Sequence, residues 1–279
     1  MLNPFLQAIH RYPVKSVAGS GPGEAVVEPW GLAGDRRWML VDAGRRFVTQ
    51  RARPRLATAA AEELPGGALR LTAPDLPPLT VEVPEPGATV TVEVWGDKVE
   101  AVPASGAAAE WFSGFLGAAV ELVHLDDPAG RRPADPAYAR PGETVSFADG
   151  FPLLVTTTSS LDALNSLVAQ GGHAEESPLP MDRFRPNVVV DGTAPWDEDE
   201  WQRIRIGEVV FRVVKPCGRC VMTTTDQRTG QRGKEPLRTL ARHRRFGDQL
   251  VFGQNLIPEG TGTLRVGDPF EVLARRPRA

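Results

Sequence analysis

A chain of 279 residues, 41% hydrophobic and 24% charged, is long enough to bury a proper core and ordinary for a globular protein. No run reaches the ~18 apolar residues of a membrane span, and the opening MLNPFLQAIHRYPVKS lacks the charged and apolar regions of a signal peptide. Two cysteines exclude a disulfide framework and point to a reducing, cytoplasmic setting.

Taken in chain order, residues 5–14, 24–30, 37–42, 68–73, 79–84 and 88–102 are β-rich runs punctuated by Gly, Pro and Asp. Several alternate apolar and polar residues, as in TVTVEV, the pattern of strands with one buried face. Residues 107–117 read as a helix stopped by Gly117, and 119–125 as a strand. Residues 126–142 are rich in Pro, Asp and Arg, a linker or a long loop over a site, which places a domain boundary between 1–125 and 126–279. The stretch FPLLVTTTSSLDALNSLVAQGG then predicts strand, turn and helix, with Thr158 or Ser159 as N-cap and Gly171 as the stop. Residues 186–192, 201–214, 249–257 and 262–273 read as further strands, and 235–246 as a last helix. The expected fold is mainly β (α+β): an N-terminal β-barrel domain followed by a barrel-like domain with a few helices.

The net charge of −3 hides an asymmetry. From Lys215 to Arg245, nine Lys/Arg face only Asp226 and Glu235, a balance of +7, so the remainder carries −10. Such a stretch is either a solvated face, with Arg244 and Arg245 on the outer side of the last helix, or part of a site for an anionic ligand. Nucleic acid is disfavoured, because Phe246 is the one aromatic near the basic run.

Both cysteines lie in VVKPCGRCVMTTTD, as Cys217 and Cys220, beside Lys215 and Arg219. A structural zinc site needs four ligands, and His10, His124, His173 and His243 do not stand in ligand spacing. A thioredoxin-like pair belongs at a helix start in a βαβ context, whereas this one follows a long β run. Two incidental buried thiols are the plain structural reading. Against that reading, Lys215 and Arg219 are expected to lower a thiol pKa and favour thiolate. A fourth reading makes one thiolate a ligand to a metal-bearing cofactor that brings most of its own donors. An anionic cofactor would also need cations and backbone amides, and YPVKS (12–16), GDRRW (34–38), TTTSS (156–160) and RFRPN (183–187) supply candidates. The Thr/Ser run, at a helix N-terminus, is a natural anion cradle, and Arg185, preceding Pro186, is expected to be extended. Singly, each of these has an ordinary explanation as a turn, a cap or a surface residue.

The ordered set YPVKS, GDRRWMLVD, RFRPNVVV, KPCGRCVMTTTD, EPLRTL, FGQNL and LRVGDP resembles the MOSC proteins, related to the C-terminal domain of molybdenum cofactor sulfurase. The likeness is greater to members with an added N-terminal β-barrel, the mitochondrial amidoxime-reducing component and bacterial hydroxylaminopurine-resistance proteins, and runs from about residue 4 to 273. The resemblance implies that Cys220 ligates molybdenum of a molybdopterin cofactor, with Cys217 a neighbour. It carries contacts to the pterin or its phosphate onto Lys15, Ser16, Arg36, Thr157, Thr158, Arg185 and Asn187. Gly218 stands where relatives often have Ser, so only its backbone can contribute. Asp226, followed by Gln227 where many relatives have Pro, is the candidate for proton delivery.

The implied activity is that of an N-reductive molybdenum oxidoreductase acting on amidoximes, hydroxylamines or N-hydroxylated bases. Electrons would come from a separate ferredoxin- or flavin-type protein, since no cysteine remains to hold a cluster. No nucleic acid or membrane partner is expected, because the anchor of mitochondrial members has no counterpart here. The competing implication, from a different class, is a carrier module that passes persulfide sulfur or the cofactor to a client protein.

Overall fold

The computed structural model describes residues 3–276, so the outermost residues of the spans 1–125 and 126–279 lie outside the described part. The fold is mainly β, as expected. The first half holds β1 (Phe5–Ile9), β2 (Glu24–Glu28), β3 (Gly31–Leu32), β4 (Trp38–Asp42), β5 (Ala60–Glu63), β6 (Leu69–Ala73), β7 (Leu76–Val81), β8 (Val90–Val94), β9 (Asp97–Pro103), helix α1 (Gly106–Leu116) and β10 (Val120–His124). After a helical turn, α2 (Pro128–Arg131), come β11 (Leu153–Thr157), α3 (Thr158–Ala169), β12 (Val188–Asp191), β13 (Trp201–Ile206) and β14 (Val209–Gly218). The chain ends with α4 (Leu237–His243), β15 (Arg245–Phe246), β16 (Gln249–Pro258), β17 (Gly262–Arg265) and β18 (Phe270–Arg275).

The largest sheet runs β1-β12-β11-β16-β14-β13-β18, with β15 paired to β16. Its first strand comes from the chain's beginning: β1 lies antiparallel to β12, Leu6 opposite Val190 and Ile9 opposite Val188. Strand β2 likewise pairs with β17. Leu6, Ile9, Val27 and Leu32 therefore share one apolar core with Trp201, Phe211, Leu256 and Phe270. Truncating a fully buried aromatic such as Trp201 there costs about 3–5 kcal/mol. A second core gathers Val14, Trp38, Leu56 and Leu69 under Trp111, Phe112 and Phe115 of α1. The spacing of Ala108, Trp111, Phe112 and Phe115 puts them on one helical face, and Gly117, at φ 62°, ends the helix.

Three expectations need correction, and for the segment 126–142 the second of its two readings is the better one. The run 88–102 is a hairpin, β8 and β9, turning at Trp95 and Gly96, both at positive φ. The N-cap of α3 is Thr157, whose hydroxyl accepts from the Ser160 N–H, one residue earlier than expected. The last helix is shorter than 235–246, ending at His243 because Arg245 and Phe246 turn into a strand against β16. The segment 126–142 is more than a linker. Its Arg132, 3% exposed, donates to the carbonyls of Ser146, Ala148 and Asp149 and fixes the loop that forms one wall of the site.

Candidate functional site

The functional side chains converge on a cleft between the two halves. Lys15, Ser16 and Arg36 enter from the first half; Arg185, Asn187, Gly218 and Cys220 enter from the second. Arg51, Arg183 and Arg219 also line it, and Asp149 is the one carboxylate that does. Six cations against one acid make the cleft electropositive.

Three of the lining residues hold a backbone conformation that L-residues avoid. Ser16 lies at φ 66°, Arg36 at 48° and Arg185 at 52°. Strain of order 1–3 kcal/mol at each persists because the surroundings over-determine it. Lys15 N–H is bonded to the Trp38 carbonyl on one side of Ser16, and Gln50 Nε2 donates to the Ser16 carbonyl. The Arg36 N–H donates to the Tyr12 carbonyl, while the buried Asp35 carboxylate accepts from Tyr12 N–H and from Arg36. Arg185 was expected to be extended before Pro186. It is left-handed instead, closing the turn Met181–Phe184, since the rule for residues before proline disfavours the right-handed helical region and leaves the left-handed one to be imposed by packing.

The cations differ in how they are used. Arg36 donates to Asn187 Oδ1 at 2.9 Å and to the Arg185 carbonyl at 3.2 Å, stacking 4.5 Å from the centre of the Tyr12 ring. Asn187, 1% exposed, also accepts from Leu154 N–H and donates to the His10 carbonyl. Its amide thus ties the two halves together at the floor of the cleft. Arg219 spends its guanidinium on the Phe252 and Phe184 carbonyls. Arg183 donates to the Thr224 carbonyl at 3.1 Å. Arg185 has no such employment. It is 8% exposed and rests 4.1 Å over Tyr12; its Nη2 has no hydrogen-bond partner among the described residues. Burial pulls its pKa down to about 10, with Tyr12, Asp35 and Asp149 only partly opposing. A buried, unpaired cation facing a cleft is a standing cost to the fold, removed when an anion binds.

Lys15 is buried still more deeply, at 5% exposed. Its Nζ donates to the Phe147 carbonyl at 2.7 Å and to the Asp149 carboxylate. Burial lowers its pKa to about 8, against the pull of Asp149. Asp149 is set at the rim, 58% exposed at its side chain, and receives Arg51 and Trp95 Nε1 as well. Desolvation works to raise its pKa, but Lys15 and Arg51 outweigh it and hold the carboxylate ionised.

The thiols lie where β14 leaves the sheet. A register irregularity between Pro216 and Gly218 lifts the strand end, and Cys220 begins the turn Val221–Thr224. A side chain at 218 would meet Gln249 Oε1 at 3.0 Å, which suits glycine. Both cysteines are free and part-buried. Flanking cations do not make Cys217 acidic: burial raises its pKa, with Arg219 only partly opposing. Lys215 is turned away, toward Asp135 at 3.8 Å and over the Tyr138 ring.

Three candidates lie elsewhere. Thr157 and Thr158 do not line the cleft. Thr157 caps α3, and its hydroxyl reaches Ser160 and the buried Glu198; Thr158 donates to Asp191. The helix N-terminus is therefore already capped by a hydroxyl, with the Asp191 and Glu198 carboxyls beside it. Asp226 is outside the cleft too, accepting from the Arg228 and Thr229 N–H groups in its own turn and pairing with Arg183 at 3.5 Å. Burial pushes its pKa up, but those donors win and keep it lowered, which suits a turn anchor better than a proton donor. Arg51, Asp149 and Arg183 were missed, since nothing in RARPR, FADGF or DRF distinguishes a cleft residue from a surface one.

The donor set fits a cofactor bearing both a thiophilic metal and a phosphate: a part-exposed thiol, an unpaired buried guanidinium and strained backbone converging on one space. Comparisons with known proteins agree. The MOSC domain matches residues 142–271 and the MOSC N-terminal beta barrel domain residues 4–119. The chain is 33% identical to human mitochondrial amidoxime-reducing component 1, over 95% of this chain and 81% of that one. It is 31% identical to human mitochondrial amidoxime reducing component 2, over 92% and 80%. To molybdenum cofactor sulfurase of Oryza sativa subsp. japonica it is 31% identical over 89% of this chain, which spans 32% of that longer protein. The chain belongs to the MOSC family, in the group that carries the N-terminal β-barrel domain and includes the mitochondrial amidoxime-reducing components.

Proposed function

We propose that this molybdenum-cofactor-related MOSC protein is a reductase of N-hydroxylated compounds such as amidoximes, hydroxylamines and N-hydroxylated bases. The observation that carries the reading is the partnerless, buried Arg185 in the same cleft as the Cys220 thiol. Cys220 would hold the molybdenum, and Lys15 and Arg185 would neutralise the cofactor phosphate with charge-assisted bonds. Arg36 and Asn187 position Arg185 and the cleft floor; Ser16 and Gly218 offer backbone.

When bound, the cofactor supplies the two-electron reduction of the N–O bond. The chain's own groups then manage protons. Cys217, its pKa raised, stays a thiol. Asp149 stays a carboxylate, held ionised by Lys15 and Arg51. Electrons would come from a separate ferredoxin- or flavin-type donor. Both halves close on the cleft, which favours a retained cofactor over the carrier reading. The test is reduction of benzamidoxime by purified, cofactor-loaded protein with dithionite-reduced methyl viologen. Turnover is expected in wild type and lost in Cys220→Ala; a loaded protein without turnover contradicts the reading.

A further inference from the structure

We propose that the surface formed by residues 228–245, continued by the 51–55 loop, is the docking face for an acidic electron-donor protein, an inference that rests on the reductase reading. Arg228, Arg232, Lys234, Arg238, Arg242 and Arg245 are all exposed, and none takes part in an ion pair among the described residues. The two acids of the same stretch are turned to internal work. Asp226 holds its own turn and Arg183, while Glu235, 1% exposed, accepts from the Thr239 N–H at 3.0 Å. Of the neighbouring acids, Glu176 is engaged by the Lys234 and Glu235 N–H groups and Glu175 by His173; Asp182 and Asp248 are exposed. The segment therefore carries a net positive charge, with Glu175, Glu176, Asp182 and Asp226 along the edge that holds Arg228 and Arg232.

That charge adjoins the cleft. Arg232 Nη2 donates to the Gln50 and Arg51 carbonyls at 2.9 and 2.6 Å, and Arg51 lines the cleft. Exposed Arg53 and Arg55 follow, the latter lying against Gly230. On the other side, the β15–β16 turn brings Phe246 opposite Gln249, the residue packed on Gly218 of the cysteine loop. Phe246 is 44% exposed and Val221, next to Cys220, 36%. Apolar contacts beside the metal-ligand candidate, flanked by free cations, match a partner with an acidic rim around an exposed redox centre. Steering of this kind raises association rates about 10- to 1,000-fold and weakens with salt. Nucleic acid fits less well, because the exposed aromatics along the face are few: Phe246, and Trp95, which is already engaged by Arg51 and Asp149.

The experiment uses full-length, cofactor-loaded protein and benzamidoxime, with two electron sources: reduced methyl viologen and a reduced plant-type [2Fe–2S] ferredoxin. The triple variant Arg228→Glu, Lys234→Glu, Arg238→Glu is compared with a control, Arg70→Glu, Lys98→Glu, which reverses exposed unpaired cations of the first half. The expected result is a drop of at least about tenfold in kcat/KM for ferredoxin in the triple variant at low salt, with viologen-driven turnover unchanged and the control like wild type. Equal ferredoxin-driven rates in triple variant and wild type, or no ferredoxin-driven turnover while viologen works, overturn the docking face. Tight binding of a DNA duplex at physiological salt, abolished in the triple variant, would reassign the face to nucleic acid. Absence of viologen-driven turnover in loaded wild type overturns the reductase reading instead.

Discussion

Replacing Arg185 by methionine should move stability and cofactor binding in opposite directions. The guanidinium is 8% exposed, its Nη2 is unpartnered, and burial holds its pKa at about 10, well below the ordinary guanidinium value. The folded group binds its proton more weakly than the unfolded one, so the cost is present at neutral pH and declines only above pH 10. The lowering corresponds to ~3 kcal/mol of unfavourable charge burial. Its stacking on Tyr12, at 4.1 Å, returns ~1–2 kcal/mol. Methionine keeps most of the packing volume and removes the charge, leaving a net gain of about 1–2 kcal/mol in cofactor-free protein. For a chain of this size, that is a rise in Tm of roughly 2–6 °C. In cofactor-loaded protein the same substitution removes charge-assisted bonds of ~1.5–3 kcal/mol, a ten- to hundredfold loss of affinity.

The assay is a thermal melt of both proteins from a host unable to make the pterin, paired with molybdenum content from a competent host. A lower Tm in the cofactor-free variant, with undiminished molybdenum, would refute the reasoning: Arg185 would then be a structural residue with partners the geometry does not show.

Lys15 gives a pH signature. With a folded pKa near 8 against 10.5, it loses its charge as pH rises through 8, so phosphate-dependent cofactor retention should fall above pH 8 while Lys15 itself adds stability between 8 and 10.5; Lys15→Met should flatten the retention profile, measured by pterin release after dialysis. The two cysteines should separate: Cys220→Ala loses metal and activity, whereas Cys217→Ala retains a substantial part of both, and equal loss with preserved folding would favour a redox pair. Thr157→Ala should cost about 1 kcal/mol as a lost helix cap, read in urea melts, yet leave molybdenum occupancy unchanged. Glu198→Gln should stabilise the fold at pH 8 and not at pH 5. Burial raises this carboxyl's pKa to about 7, so the folded state binds the extra proton between 4.5 and 7 and wild type loses that stability as pH rises.

Much of this architecture is legible in residue pattern. The alternating stretches at Val90–Val94 and at the start of β14 became strands with period-2 burial, and the apolar runs around 37–42 and 249–257 became strands buried on both faces. Strand β5, Ala60–Glu63, was not foreseen: AAEE lacks β-branched residues and is held by pairing with β6. The crossing of β1 into the second-half sheet is a long-range register that no window reveals. At the site, YPVKS, GDRRW, RFRPN and the cysteine stretch could be found as motifs, and their residues meet in one cleft. Their strain could not, since Ser16, Arg36 and Arg185 give no glycine to mark a left-handed turn. The Thr/Ser run misled because a free helix N-terminus and one already capped against Glu198 look alike in sequence. Arg244 misled in the same way. It was expected on the solvated side, but it is buried, paired with Asp199 at 2.6 Å and stacked on Trp196, because the helix ends one residue before it.

The most direct test of the central claim is elemental and pterin analysis of the protein purified from a cofactor-competent host. Plasma mass spectrometry should find molybdenum near one equivalent per chain, and oxidised extracts should show pterin fluorescence in matching amount, both lost in Cys220→Ala with its fold intact. Zinc in place of molybdenum, or a folded wild-type protein with neither metal nor pterin, would contradict the assignment of the cleft.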